Sequence, residues 1–154
     1  MQAMAAPRST PVPGNDTIHG PAGNNVIYGG PGDNLISGGS GNDTIFGGPG
    51  NNILRGGPGH DLIHSGTGSD TFVFAPGDEI TSVSGFSVSD GDRLRLYADL
   101  WGGELTAHQV VDAFGELRPN GHFLFQFGDE SLWLLNFAGT GLDPSALADH
   151  IDIL

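Results

Sequence analysis

Between Gly14 and Phe72 one large apolar position recurs at an even interval, in some units with a second apolar residue beside it. Ile18, Ile27, Ile36, Ile45, Leu54, Ile63 and Phe72 recur every nine residues. That period matches neither an amphipathic helix nor a long alternating strand, and self-similarity at a fixed spacing is the mark of a solenoid. Two residues before each apolar position stands Asp16, Asn25, Asn34, Asp43, Asn52, Asp61 or Asp70, and two before that a glycine, at Gly14, Gly23, Gly32, Gly41, Gly50, Gly59 and Gly68. Glycine pairs precede most units, as in Gly29-Gly30, Gly38-Gly39, Gly47-Gly48 and Gly56-Gly57. Each unit therefore reads as a glycine turn, which needs the positive φ that glycine adopts freely, followed by a short strand with one side chain inward. Two units complete one coil of a flattened helix, so units of like parity stack.

Past Phe74 the pattern changes to a conventional one. Thr106 and Gln109 have the spacing of a capping box before Val110, Val111 and Phe114, which predicts a short amphipathic helix. The apolar runs 123–127 and 132–137 flank residues 128–131 and predict a hairpin buried on both faces. Asp143 and Pro144 have the order of an N-cap and first-turn residue for a last helix.

Composition sharpens the picture. The chain has 154 residues, 27 of them glycine, no lysine and no cysteine, and 18 acids against 5 arginines give a formal charge of -13. Such a surface repels a phosphate backbone, which argues against nucleic acid and disfavours a polyanionic glycan. Without cysteine there is no disulfide framework and no thiolate site. No apolar run reaches the roughly 18 residues of a membrane span. Within the repeats, Asp16, Asp33, Asp43, Asp61 and Asp70 face Arg55 alone. One inward side chain per unit is a thin core, so the block needs a hard cation taking oxygen ligands to neutralise its carboxylates. Metal binding and folding would then be one event.

The repeat follows GGxGxDxUx and resembles the RTX (repeats-in-toxin) family of calcium-binding β-rolls over all seven units. The resemblance implies an all-β chain: a flexible segment at 1–13, a parallel β-roll at 14–73, and a mainly β cap with one or two short helices at 74–154. It implies several calcium ions between stacked turns, held by the side chains of Asp16, Asn25, Asn34, Asp43, Asn52, Asp61 and Asp70. Turn carbonyls, among them those of Gly30, Gly32, Gly39, Gly41, Gly48, Gly50, Gly57 and Gly59, complete the ligand set. Stacking by parity pairs Asp16 with Asn34, Asn34 with Asn52, Asn52 with Asp70, Asn25 with Asp43, and Asp43 with Asp61. Because affinity tracks ligand charge, the Asp43/Asp61 site is expected to be strongest and Asn34/Asn52 weak or empty. Asp78 or Glu79 is a further candidate above Asp61.

The residues just before the inward position alternate outward, which sets Val26 and Leu62 on one face and Leu35 and Ile53 on the other, as candidate surfaces for self-association or for the cap. His60 and His64 have helical zinc-pair spacing, but a turn-strand unit does not put them on one side. The segment from Asp90 to Leu96 resembles the one that closes RTX rolls in secreted proteases and lipases, with Gly85 where that segment usually has Asp. The last residues, 149–154, are similar to the C-terminal signal of type I secretion. The resemblance thus implies a secreted, extracellular module that folds on calcium and is exported by an ABC exporter. No Walker loop, dinucleotide fingerprint, nucleophile elbow or His-Glu-x-x-His helix is present, so no enzyme is expected. An extracellular adhesion or glycan-binding module, contacting its partner through the outward ribbons and through Trp101 and Trp133 as hairpin aromatics, is the alternative.

Overall fold

The computed structural model describes residues 13–137 and 143–154. The N-terminal segment expected at 1–13 lies outside the described residues apart from Pro13. Each repeat unit contributes one strand: β1 Thr17–His19, β2 Val26–Tyr28, β3 Leu35–Ser37, β4 Thr44–Pro49, β5 Ile53–Arg55, β6 His60–Thr67 and β7 Thr71–Phe74. Strands of like parity pair in parallel, with Ile18 opposite Ile36, Ile36 opposite Leu54, Ile27 opposite Ile45 and Ile45 opposite Ile63. The offset is one coil of two nonapeptides, and the fold is a parallel β-roll.

Positive-φ glycines make the turns. Gly41 has φ +118, and a Cβ there would stand 2.8 Å from the carbonyl oxygen of Gly23 in the coil below. Gly48, at φ +92, would meet the Gly30 carbonyl oxygen at 2.5 Å. Coils this close leave no space for a side chain at those positions. The inward row is fully buried from Ile27 to Phe72, while Ile18 at the end of the stack is only partly so.

Both sheets continue past the repeats. One runs β1-β3-β5-β7, then β9 Arg93–Leu96 and β13 Ile151–Ile153, all parallel. The other runs β2-β4-β6, then β8 Ile80–Ser84, β12 Glu130–Leu135, β11 Phe123–Phe127 and β10 Gly115–Leu117, whose last two pairings are antiparallel. Val83 and Leu94 extend the inward row into these later strands, opposite Ile63 and Phe72.

The cap is aromatic. Phe74, Trp101, Phe114, Phe125 and Phe127 form one group with ring centroids 5.2 to 6.2 Å apart, and Phe123 packs on Phe125 and Phe137 at 5.1 Å. The expected capping box is present at the start of α1 Ala107–Phe114: Gln109 N–H donates to Thr106 Oγ1, and Thr106 N–H donates to Gln109 Oε1. The hairpin forms between β11 and β12. Two expectations change. The segment after Asp143 is a 3-10 helix, Pro144–His150, in which Asp143 accepts from Ser145 N–H. Trp101 lies outside the hairpin, in the turn after the 3-10 segment Ala98–Leu100, and packs inward on Phe114 and Phe127. Among the described residues no helix is long and apolar enough to cross a membrane.

Candidate metal centre

The short polar residue two places before each inward side chain points into the turn region. Asn25, Asn34, Asp43, Asn52, Asp61 and Asp70 are all at most 4% exposed, while Asp16 at the end of the stack is partly exposed. Their side chains tie successive coils together. Asn34 Oδ1 accepts from Asp16 N–H, Asn52 from Asn34, Asp70 from Asn52, Asp43 from Asn25 and Asp61 from Asp43, at 2.8 to 3.0 Å. The five stacked pairs expected from parity are therefore brought together.

A second ladder runs on the outside in the opposite sense. Asn15, Asn24, Asp33, Asn42 and Asn51 each accept from the backbone N–H of the residue one coil later. Asp33 thus has a structural role on the surface, and His60 enters through its backbone alone. His64 stacks on Phe46, away from any zinc pairing with His60.

The inner row divides by chemistry. In Asp43, Asp61 and Asp70 one carboxylate oxygen makes the inter-coil bond and the other, Oδ2, is buried with no hydrogen-bond partner. In Asn34 and Asn52 the second atom is an amide nitrogen, and it donates to the carbonyls of Gly30 and Gly32, or of Gly48 and Gly50. The Asn25 amide does the same to Pro21 and Gly23, while its Oδ1, at the first position of that stack, is buried without a hydrogen-bond partner. Leaving a buried polar atom unpaired is unfavourable by about 1–3 kcal/mol, more for a charge. The unpaired Oδ2 atoms of Asp43 and Asp61 in one stack and of Asp70 in the other therefore mark positions that require a proton or a cation.

Their acidity says the same. Burial pushes the Asp61 carboxyl up to about 7, with Asp43, Asp78 and Glu79 adding repulsion. Burial also raises Asp43 and Asp70 above the usual carboxylate range, against the hydrogen bonds each accepts from an asparagine. Desolvated carboxylates favour whatever supplies positive charge. Among the described residues no three His, Cys, Asp or Glu side chains converge. The donor set is instead a buried carboxylate oxygen together with turn carbonyls, the all-oxygen environment of a hard cation, and calcium fits it.

Of the two candidates above Asp61, Glu79 acts on it only as a nearby negative charge, and Asp78 is taken up by other partners. Asp78 is fully buried and accepts from Arg55 Nε and NH2 and from Ala75 N–H. The residue in register with Asp61 is Thr81, whose hydroxyl is buried and unpaired. On the other stack the sequence reading missed a member. Asp92 is 1% exposed, its Oδ1 accepts from Asp70 N–H at 2.7 Å and its Oδ2 from Ser87 N–H at 2.9 Å. Burial raises it to about 6, helped by Asp70 and Asp90. Asp92 stands two before the inward Leu94, as in the repeats, but 22 residues after Asp70 instead of 18. The local Asp-x-Leu pattern was the available signal, and the longer coil took it out of frame.

The outward ribbons sit as expected. Leu35 and Ile53 are 44% and 37% exposed, while Val26 and Leu62 are half-buried. Beside the latter, Tyr28, Phe46 and His64 stack in a column with centroids 4.9 and 4.7 Å apart and planes within 8°.

Comparison with known proteins agrees with this geometry. A family model described as the RTX calcium-binding nonapeptide repeat (4 copies) matches residues 12–45 and 37–72. No curated protein sequence matches the chain. Among solved structures, a subunit of the Azotobacter vinelandii mannuronan C5-epimerase is similar at 23% identity and a TM-score of 0.48, over 91% of this chain and 78% of that one. The extracellular lipase LipA of Serratia marcescens is similar at 14% identity and a TM-score of 0.51, over all of this chain and 41% of the lipase, a likeness of fold alone. The repeat block of this chain, residues 12–72, belongs to the RTX calcium-binding nonapeptide repeats.

Proposed function

We propose that this chain is a calcium-dependent folding module of a secreted protein, and that its activity is to bind calcium and fold. The observation that carries this is the row of buried, unpartnered Oδ2 atoms of Asp43, Asp61 and Asp70. These three carboxylates, with the turn carbonyls of Gly39, Gly41, Gly57 and Gly59, would hold the ions, and Asp92 would share the charge at the Asp70 turn. Calcium supplies the positive charge that a buried carboxylate otherwise takes from a proton. Since the folded turns alone gather these oxygens, calcium stabilises the folded form by RT ln(1 + [L]/Kd) per site. At low calcium the repeats stay loose, and where calcium is abundant they close.

Export by a type I ABC exporter, directed by residues 149–154, completes the proposal; what supports it is the RTX repeat itself and the acid-plus-aliphatic end of the chain. Folding is tested by circular dichroism of metal-free protein titrated with calcium chloride. A gain of β signal is expected, and a full native signal before any addition would overturn the reading. Export is tested by deleting residues 149–154 in a strain carrying such an exporter, where the truncated chain should stay in the cell.

A second reading, a glycan-binding module, rests on the column of Tyr28, Phe46 and His64, a row of part-exposed rings that offers an apolar strip with polar tips to a neutral sugar. Saturable binding of a neutral polysaccharide, lost in Phe46→Ser, would support it.

A further inference from the structure

The asparagines of the inner row are more than weakened ligands. Each Asn amide donates to two carbonyls at constant offsets, four and two residues upstream: Asn34 to Gly30 and Gly32 at 3.1 and 3.0 Å, Asn52 to Gly48 and Gly50 at 3.2 and 3.1 Å, and Asn25 to Pro21 and Gly23 at 2.7 Å each. The same offsets from Asp43 and Asp61 give Gly39 and Gly41, and Gly57 and Gly59.

The terminal atoms of the two residue types also occupy equivalent places. A Cβ on Gly29 or Gly47, five residues upstream, would lie 3.0 or 3.2 Å from the Nδ2 of Asn34 or Asn52. A Cβ on Gly38 would lie 2.5 Å from Asp43 Oδ2, and one on Gly56 would run into Asp61 Oδ2. At one position of the repeat, therefore, the chain places either a neutral group with two N–H donors that reaches both turn carbonyls, or a bare oxygen with no donor in reach. An amide drawing two carbonyl oxygens together performs the electrostatic task of a cation at that spot, without a net charge.

We propose that Asn25, Asn34 and Asn52 are built-in replacements for the metal ion: their carboxamides close the turns that a cation closes elsewhere, and calcium is confined to the turns of Asp43, Asp61 and Asp70. This deepens the calcium reading above and rests on it. The placement then has a direction. Asp61 and Asp70 belong to the last two units, whose coils adjoin β8 and β9, whereas Asn25 and Asn34 lie toward the N-terminal end of the stack. Asp16, at that end, is partly exposed and has solvent to stabilise its charge. The N-terminal coils are thus wired by protein hydrogen bonds, and two of the three metal turns, those of Asp61 and Asp70, lie next to the cap.

The test exchanges the two side chains in both directions. Wild type, Asn34→Asp/Asn52→Asp and Asp61→Asn are each titrated with calcium chloride by calorimetry, and each is melted metal-free and in saturating calcium. The double variant should bind more calcium per chain than wild type and melt lower without metal, with the loss recovered in calcium. Asp61→Asn should bind less calcium and melt higher than wild type without metal. An unchanged calcium count in the double variant, or a lower metal-free melt for Asp61→Asn, overturns the replacement role. If the double variant does not fold even in calcium, the Asp61→Asn melt decides. Failure of the underlying calcium reading has a different signature, since wild type itself would then take up no calcium.

Discussion

The roll and the cap share two continuous sheets but satisfy their interiors by opposite means. In the roll each strand buries one aliphatic side chain, and beside it runs a column of buried carboxylates and amides that bonds one coil to the next. In the cap, β11 buries four of its five residues, and Phe123, Phe125, Phe127, Phe137, Leu132 and Leu134 pack on one another and on Val110 and Leu147. A core of the second kind depends on shape and volume. The first kind depends on charge, so its stability is set by whatever occupies the solvent around it.

Four perturbations sharpen or break that contrast. The largest effect belongs to the cap: Phe125→Ala, at a wholly buried position, should lower stability by about 3–5 kcal/mol with or without calcium. A denaturation series in both conditions checks it, and a loss seen only without calcium would couple the two interiors. Next comes the junction, where Arg55→Met leaves the fully buried Asp78 carboxylate without its 2.7 Å partner. A loss of about 2–3 kcal/mol is expected, below the usual value for a buried pair because the arginine is partly solvated. Asp78→Asn in the same background should restore part of it.

The third perturbation is pH, on metal-free protein. Burial sets the folded carboxyls of Asp61 and Asp92 near 7 and 6, against an ordinary 3.8. The folded state therefore binds more protons than the unfolded chain between about pH 4 and 7, and its stability falls as pH rises through that window. With calcium the slope should reverse, because protons then compete with the ion. Urea midpoints at pH 5 and pH 8 read both signs. The smallest effect is expected at the exposed pair of Arg118 and Glu116, 3.2 Å apart on the hairpin side. Glu116→Gln should change stability by less than about 0.5 kcal/mol.

The roll was legible because its period writes structure directly into sequence. Ile27 and Ile45 fall opposite each other because they are one coil apart, and Asn34 meets Asn52 for the same reason. The capping box and the hairpin of the cap are local signals and were equally readable. What escaped was set by tertiary contact. Asp92 joins the Asp70 column only through a coil lengthened by four residues, and Asp78 is drawn away by Arg55, a partner 23 positions earlier. The final 3-10 helix and β13 take their form from docking: β13 pairs with β9, Arg93 bonds Asp152, and His150 Nδ1 lies 2.8 Å from the Asp92 carbonyl. The division of labour between Asn and Asp was half visible. Charge counting marked Asn34 and Asn52 as poor ligands, but the direction of their amides toward the turn carbonyls belongs to the fold.

The central claim is that positive charge from calcium completes the buried aspartate turns. Hydrogen exchange resolved along the chain, with and without calcium, tests it most directly. Metal removal should strip protection from the backbone N–H groups of Asp43, Asn52 and Leu62, which hold the Asp43, Asp61 and Asp70 turns to their neighbours, while Phe125 and Leu134 in the cap exchange far less differently. Equal protection of those roll amides in both conditions would contradict it.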